Sequence, residues 1–439
     1  MPSRTAVASG EAPNRDLVNL LAAARPFLRD EPDKIDGDPA LPSLLTSLRA
    51  AGAGECWHKH GTFLAHLVGV HRILTLWGAP LPVARCGLYH SAYSNSYVNL
   101  AIFDPGTASR ASLCLTLGEA AERLVHLFCI VPRQPLIHDN LLFRYTDSEL
   151  AEHLAASADP TRRESEEPWR RKICSLLPPQ GITVKHIHTG DDVAVSRRVA
   201  AAFLLMTMAD FSDQLFAFQD RLFENGDGRL EFAGSDVAGA LWPGNGRPGL
   251  WMNSISRMGA IYNLIAKEEE IYLEERKKEL GVGEMKERDE DIELVIPPVF
   301  EGCTKVLPAE EQKTARDLYW EAVAGGGMGG EREEKLLRES CALNPYVGEP
   351  HVVLAQVYLG MGRWEEAERE AEKGLRLMLE WGSAWDKRVT WEGWVAWARV
   401  LLLKAQEEKI GQHLLGGFST LAWSGDGEFG DLSAFVFPL

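Results

Sequence analysis

An all-α fold is what this chain predicts, and three observations carry it. Apolar stripes at helical spacing fill 16–29, 42–50, 62–77, 82–93, 117–131, 148–156, 168–177 and 196–223. A second helical region covers about 308–407. Strand signals are few: Ile182 to His188 alternates and reads as one short extended segment.

Taken in order, residues 1–15 read as a disordered tail, and 16–265 as a helical domain. Within it, one helix begins near Thr62 and runs to Trp77, where Gly78-Ala79-Pro80 stops it. The next starts near Pro82, a good first-turn residue because its missing N–H is not needed there. Glycine and proline crowd 225–250, which reads as a long loop. Residues 266–307 are highly charged and read as a solvated helix followed by a linker ending at Pro297-Pro298. Helical repeats occupy 308–407, interrupted by glycines from Gly325 to Gly330, and 408–439 form an irregular tail.

Composition narrows the function classes. The length of 439 residues suggests two or three domains. A net charge of −17 argues against a nucleic-acid partner, because a phosphate backbone is bound by basic side chains. No apolar run is long enough to span a bilayer, so no membrane partner is expected. The seven cysteines form no CxxC pair, which points to reduced thiols and a cytoplasmic location. Met1 to Asn14 lacks the apolar stretch of a secretory signal but leaves room for a short organelle transit peptide.

Two histidines carry the chemistry. His66 shares a helix face with Val70, Ile73 and Trp77, and His90 follows Cys86 by one turn. Two helices joined by a short turn pack antiparallel, so the imidazoles can converge in the core, and neutral imidazole is the commonest metal ligand. Taken singly, each histidine reads as a satisfied core residue. A third candidate, Asp210, shares its face with Val199, Phe203 and Met206, so its carboxylate points into the core, where a cation or hydrogen bond must compensate it. Gln214, one turn on, is placed to orient it. His186 and His188 read as part of a surface turn, and His71 lies on a different face from His66. The loop Leu241 to Trp251 reads as an anchor for its two tryptophans, with a water-excluding lid as the alternative.

Leu354 to Ala367, with Ala371, Gly374 and Leu375 after it, resembles the tetratricopeptide repeat. Small residues let two antiparallel helices approach, and Gly362 turns between them. Ala342-Leu343-Asn344-Pro345 looks like the end of a preceding repeat, and Trp391 to Ala405 would supply another first helix, so about three helix pairs are expected. The resemblance implies a protein partner in a groove, or a packing module; the tryptophans of these repeats also point to self-association.

The region 55–225 is similar to the HD-domain superfamily, most closely to the hydrolase domain of RelA/SpoT-type alarmone enzymes. His66-Leu67-Val68-Gly69-Val70 stands where that family has its first His, and Leu88-Tyr89-His90-Ser91 where it has its His-Asp pair. Leu117 to Val125 looks like the helix that follows, and Met208-Ala209-Asp210 like the final Ala-Asp; Asp220-Arg221-Leu222 resembles the family's Asp-Arg-Leu, so Asp220 is the alternative last ligand. The dipeptide His138-Asp139 is a decoy in an expected loop after Pro135. The resemblance implies one divalent metal (Mn, Fe or Zn) held by His66, His90 and Asp210. The implied substrate is a small phosphorylated molecule, a nucleotide among the options, met by His58, Lys59 or His60. Ser91 replaces the family's aspartate and is a much poorer ligand for a hard cation. Two other readings follow: an inactive HD-like scaffold acting through the repeat region, and iron-dependent oxygenation of the kind seen in the HD-like myo-inositol oxygenase. Tyr-His-Ser-Ala-Tyr, Leu-Trp-Pro-Gly and the repeat tail together also look like an uncharacterised domain family of plants, algae and bacteria.

Overall fold

The computed structural model describes residues 12–28, 38–58, 61–94, 101–103, 107–217, 220, 246–280, 289–305, 308–325 and 330–416. Among these, helices dominate and the strands form two small antiparallel hairpins, so the all-α expectation holds.

The N-terminal bundle begins with α1 (Ala12–Leu28) and α2 (Leu41–Ala50). A two-residue hairpin of β1 (Trp57–His58) and β2 (Gly61–Thr62) leads into α3 (Phe63–Leu76). The Thr62 side chain caps α3 by accepting from the Ala65 N–H, which starts the helix where expected. Then come α4 (Leu81–Leu88), α5 (Thr107–Leu117) and α6 (Glu119–Ile130). Helix α4 is shorter than its apolar stripe: it ends at Leu88, and His90 lies in the turn that follows. Tyr89 closes the helix, and its buried hydroxyl donates to the Leu44 carbonyl of α2.

His138-Asp139 departs from expectation. It lies in a π-helical turn, Gln134–Asp139, and His138 is buried with its ring stacked on Phe211. The neighbouring helix provides the apolar surface that the local sequence lacks. Helices α7 (Asp147–Ala158) and α8 (Pro168–Leu176) follow, then β3 (Ile182–Lys185) and β4 (Asp192–Val195), with His186 and His188 in the connecting turn as expected. Helix α9 (Arg197–Gln214) is buried along almost its whole length, so it forms the axis of the bundle.

Helix α10 (Trp251–Leu280) corrects the reading of a solvated helix starting at residue 266, because it runs unbroken through that boundary. Glu268 and Glu269 are buried, not solvated. Glu268 pairs with the buried Arg170 of α8 at 2.6 Å, and Glu269 with Arg198 of α9 at 2.8 Å. A run of acids seen along one chain gives no hint of arginines supplied by two other helices.

The C-terminal region continues through α11 (Pro298–Cys303), α12 (Ala309–Ala324), α13 (Glu331–Leu343), α14 (Gly348–Gly360), α15 (Trp364–Trp381) and α16 (Trp391–Gly416). Gly362 takes a φ of +71° in the α14–α15 turn, where glycine has no steric cost. A Cβ on Gly374 would lie 2.7 Å from Val352 of α14, so the missing side chain sets how closely these helices approach. Helix α16 runs past residue 407, and the tail at 417–439 lies outside the described residues.

This region packs directly on the N-terminal bundle. Arg72 donates to the Gly382 carbonyl and pairs with Glu392, and the Trp77 indole donates to the Glu380 carbonyl. The loop between α15 and α16 reaches the end of α9, where Ser383 and Lys387 both donate to the Ser212 carbonyl.

Candidate metal centre

The site forms where α3, the turn after α4 and the last turns of α9 meet. His66 comes from the first turn of α3 and Asp210 from α9, with His66 Nε2 3.2 Å from Asp210 Oδ1. His90 comes from the turn after α4, its ring 5.2 Å from that of His66. One ligand atom from each of His66, His90 and Asp210 lies within 4.8 Å of the others, and all three residues are buried. These three can hold a metal ion.

The far side of each imidazole is tied. His66 Nδ1 donates to Asp213 Oδ2 at 2.7 Å. His90 Nδ1 donates to the Gly87 carbonyl at 2.7 Å, which leaves its Nε2 as the acceptor nitrogen. Metal-ligating histidines are held this way, by a carboxylate or backbone carbonyl on the nitrogen away from the ion. Asp213 was not among the candidates drawn from sequence. Two signals pointed to it: it lies one turn after Asp210, and Gly69 stands one turn after His66. A Cβ on Gly69 would sit 2.1 Å from Asp213 Oδ1, so glycine makes the room for this carboxylate.

The electrostatics follow from burial and pairing. Burial pulls the His66 pKa down, but the hydrogen bonds to Asp210 and Asp213 together outweigh it and raise it to about 9. His90 lacks such a carboxylate contact; burial lowers its pKa to about 4, so it is neutral at pH 7. Burial would raise the pKa of both aspartates, but His66 holds each below the ordinary carboxylate range, and both are ionised. Lys387 of the α15–α16 loop adds a positive charge near Asp213, its pKa lowered by burial to about 8.

Around this centre stand Gln214, His58 and Arg133. Gln214 donates to Asp210 at 2.7 Å and meets His58 Nε2 at 3.0 Å through its carbonyl oxygen, so it orients the carboxylate as expected and links it to β1. The buried Arg133 guanidinium lies over the Phe128 ring and 4.0 Å from Asp210. Arg133 was also missed from sequence, because it sits in the irregular link after α6, where no period marks a face.

Residues 47–133 match a Domain of unknown function (DUF6817). The matched segment holds His66 and His90 and ends on Arg133, whereas Asp210 and Asp213 lie outside it. No curated protein and no solved structure matches the chain.

The remaining candidates separate clearly. Ser91 is buried beside His90 in the turn after α4. His60 and Lys59 lie outside the described residues. Asp220 does not join the centre: its carboxylate accepts from the Leu250 N–H and faces Arg316 at 3.6 Å. Of the loop Leu241 to Trp251, residues 241–245 lie outside the described residues. Its later part is anchored: Arg247 pairs with Asp317, and Gly249 accepts from the Trp385 indole.

Proposed function

We propose that this chain is a metal-dependent hydrolase of small phosphorylated substrates, nucleotides among them, built on a degenerate HD-like bundle. The observation behind the reading is the convergence of His66, His90 and Asp210 with both Nδ1 atoms already engaged. A divalent ion bound by these residues supplies a Lewis acid that lowers the pKa of water toward neutrality. His66 and His90 would hold the ion through Nε2, and Asp210 through its carboxylate. Asp213 keeps the His66 proton on Nδ1 and fixes the ring. Arg133 puts a desolvated positive charge beside Asp210, suited to a phosphate oxygen. His58, tied to Gln214, would meet the same group. With Ser91 in place of the aspartate, the centre has one fewer carboxylate, so the ion is held less tightly than in the four-ligand family.

A second reading is oxygen chemistry on iron. The donor set favours it, because two imidazoles and one carboxylate form the set used by non-haem iron oxygenases. In both readings the C-terminal hairpins, with their tetratricopeptide-like spacing, serve a protein partner. Val400 and Leu403 of α16 are half exposed and one turn apart, which suits such a contact.

The test is metal content by mass spectrometry on protein purified without chelator or His tag, alongside His90→Ala and Asp210→Ala. The same proteins are assayed for phosphate release from nucleoside phosphates with added Mn²⁺. Near-stoichiometric Mn or Zn lost in both variants, with phosphate release that follows the metal, supports the hydrolase. Iron without phosphate release moves the reading to oxygenation. No metal after reconstitution overturns both and leaves a scaffold whose His66–Asp210–Asp213 network is structural.

A further inference from the structure

Helices α3 and α9, which carry His66 and Asp213, are closed on one side by the α15–α16 loop from far along the chain. Gly382 opens that loop with a φ of +65°, and a Cβ there would lie 3.3 Å from the Ile73 Cα, so glycine lets the loop rest against α3. On the other side the loop meets the last turn of α9. The Ser212 carbonyl belongs to the carbonyls at a helix end that find no partner within the helix. It accepts instead from Ser383 Oγ at 2.6 Å and from Lys387 Nζ at 2.8 Å. A cation is favoured at this end of a helix, where the carbonyl ends of the peptide dipoles collect. The same ammonium donates to the Ala384 carbonyl at 2.7 Å and faces the Trp251 ring at 5.6 Å, so it is fixed from several sides.

Three carboxylates act on the Lys387 charge, Asp213 most strongly, then Glu349 and Asp386. Two of them are answered elsewhere. Asp386 is bound by Arg388 at 2.6 Å and by the Tyr319 hydroxyl at 2.6 Å. Glu349 accepts from the backbone N–H groups of Trp385 and Asp386. Asp213 accepts from His66 Nδ1, and the further cations acting on it are Lys387 and Arg72. Arg72 is already engaged by Glu392 at 2.7 Å and by the Gly382 carbonyl at 2.9 Å. Lys387 is therefore the charge that the buried Asp213 carboxylate draws on beyond His66, and a buried carboxylate left without such a charge is costly.

We propose that Lys387 is a positioning residue of the metal centre, its ammonium holding the Asp213 carboxylate on His66 Nδ1, so that the C-terminal hairpins help to set metal affinity. This rests on the metal-binding reading of His66, His90 and Asp210. Lys387 acts through Asp213 and the His66 ring, not on the ion itself. A protein partner that shifts the α15–α16 loop would change metal affinity by the same route.

The test compares Lys387→Met, Lys387→Arg and Ser383→Ala with the parent, all as full chains. Two quantities are read: Zn²⁺ affinity by titration calorimetry and, in the metal-free protein, the proton resonance of His66 Nδ1. Held by Asp213, that proton should appear far downfield and protected from exchange in the parent. Lys387→Met keeps the length of the side chain without its charge. It should lose the protected resonance and bind Zn²⁺ about tenfold more weakly, the lower end for losing an outer contact to a ligating histidine. Lys387→Gln, which still offers a donor to the Ser212 carbonyl, serves if Lys387→Met fails to fold. Lys387→Arg keeps the charge and should restore both readings. Ser383→Ala removes the other bond to the Ser212 carbonyl, keeps the charge and should match the parent. An unchanged resonance and affinity without the Lys387 charge, or an equal loss in Ser383→Ala, would overturn the proposal. A parent that binds no Zn²⁺ would overturn the metal reading instead, and the metal-free resonance then decides whether Lys387 positions Asp213.

Discussion

Gly69 illustrates how one residue decides the chemistry of another. It carries no functional group, yet the space it leaves admits the Asp213 carboxylate that holds His66. In Gly69→Ala the carboxylate must move, while the backbone and the apolar face of α3 are untouched. Metal affinity should fall about 10- to 100-fold, as it does when an outer hydrogen bond to a ligating histidine is removed. Circular dichroism should stay unchanged; an unaltered affinity in a titration with Zn²⁺ would show that Asp213 does not support the site. His66 and Asp210 were legible in sequence because helical spacing places each on an apolar face, whereas His90, which lies in the turn after α4, was legible from its short distance along the chain from the His66 helix. Asp213 carried only the indirect signals of its spacing from Asp210 and of Gly69, and Arg133 carried none, because the contacts of both depend on distances between elements that no period records.

At the scale of the element, α10 shows why charge along a chain is a poor guide to exposure. Its apolar start and acidic continuation look like two segments, yet they form one helix. Glu268 is buried because Arg170 of α8 meets it with two nitrogens, Nε at 2.6 Å and Nη2 at 3.3 Å. Removing one partner of a buried pair leaves the other charge uncompensated. Glu268→Leu should therefore destabilise the chain by about 3 kcal/mol, the lower end for a broken buried pair, because Glu275 still contacts Arg170. Urea denaturation measures this, and a loss below about 1 kcal/mol would mean that the pair is dispensable. The α14–α15 hairpin was easier to read, since Gly362 and Gly374 mark a turn and a close approach by their composition alone.

At the scale of the whole molecule, the N-terminal bundle and the C-terminal hairpins share buried contacts. The α15–α16 loop braces the end of α9 that carries Asp210 and Asp213, through Ser383 and Lys387 on the Ser212 carbonyl. That loop is held in turn by Glu349 of α14, which accepts from the backbone N–H groups of Trp385 and Asp386. Glu349 is buried, and burial, only partly offset by these hydrogen bonds, raises its pKa from 4.5 to about 7. The folded state therefore binds a proton that the unfolded state has released, and stability falls as pH rises from about 4.5 to about 7, then levels. The loss is on the order of 3 kcal/mol. Glu349→Gln lacks this titration, so its stability relative to the parent should improve across that window, with other groups cancelling in the comparison. A difference that does not change with pH would mean that Glu349 is ionised in the folded chain.

No helix among the described residues is long and apolar enough to cross a membrane. The helical class, the limits of α2, α3, α6, α7 and α8 and the choice of His66, His90 and Asp210 came from the sequence itself, whereas α5 has no counterpart among the expected stripes and α9 ends at Gln214, short of the expected 223. Each rests on spacing along one helix or on a local cap or turn, and local geometry follows from local residues. Three things were decided by the tertiary structure: the early end of α4, the burial of the α10 acids, and the closing of the repeat region onto α9. The physical reason is common to them. A tyrosine hydroxyl, a buried carboxylate and a buried carbonyl at a helix end each need a partner, and here the partners come from elements tens to hundreds of residues away.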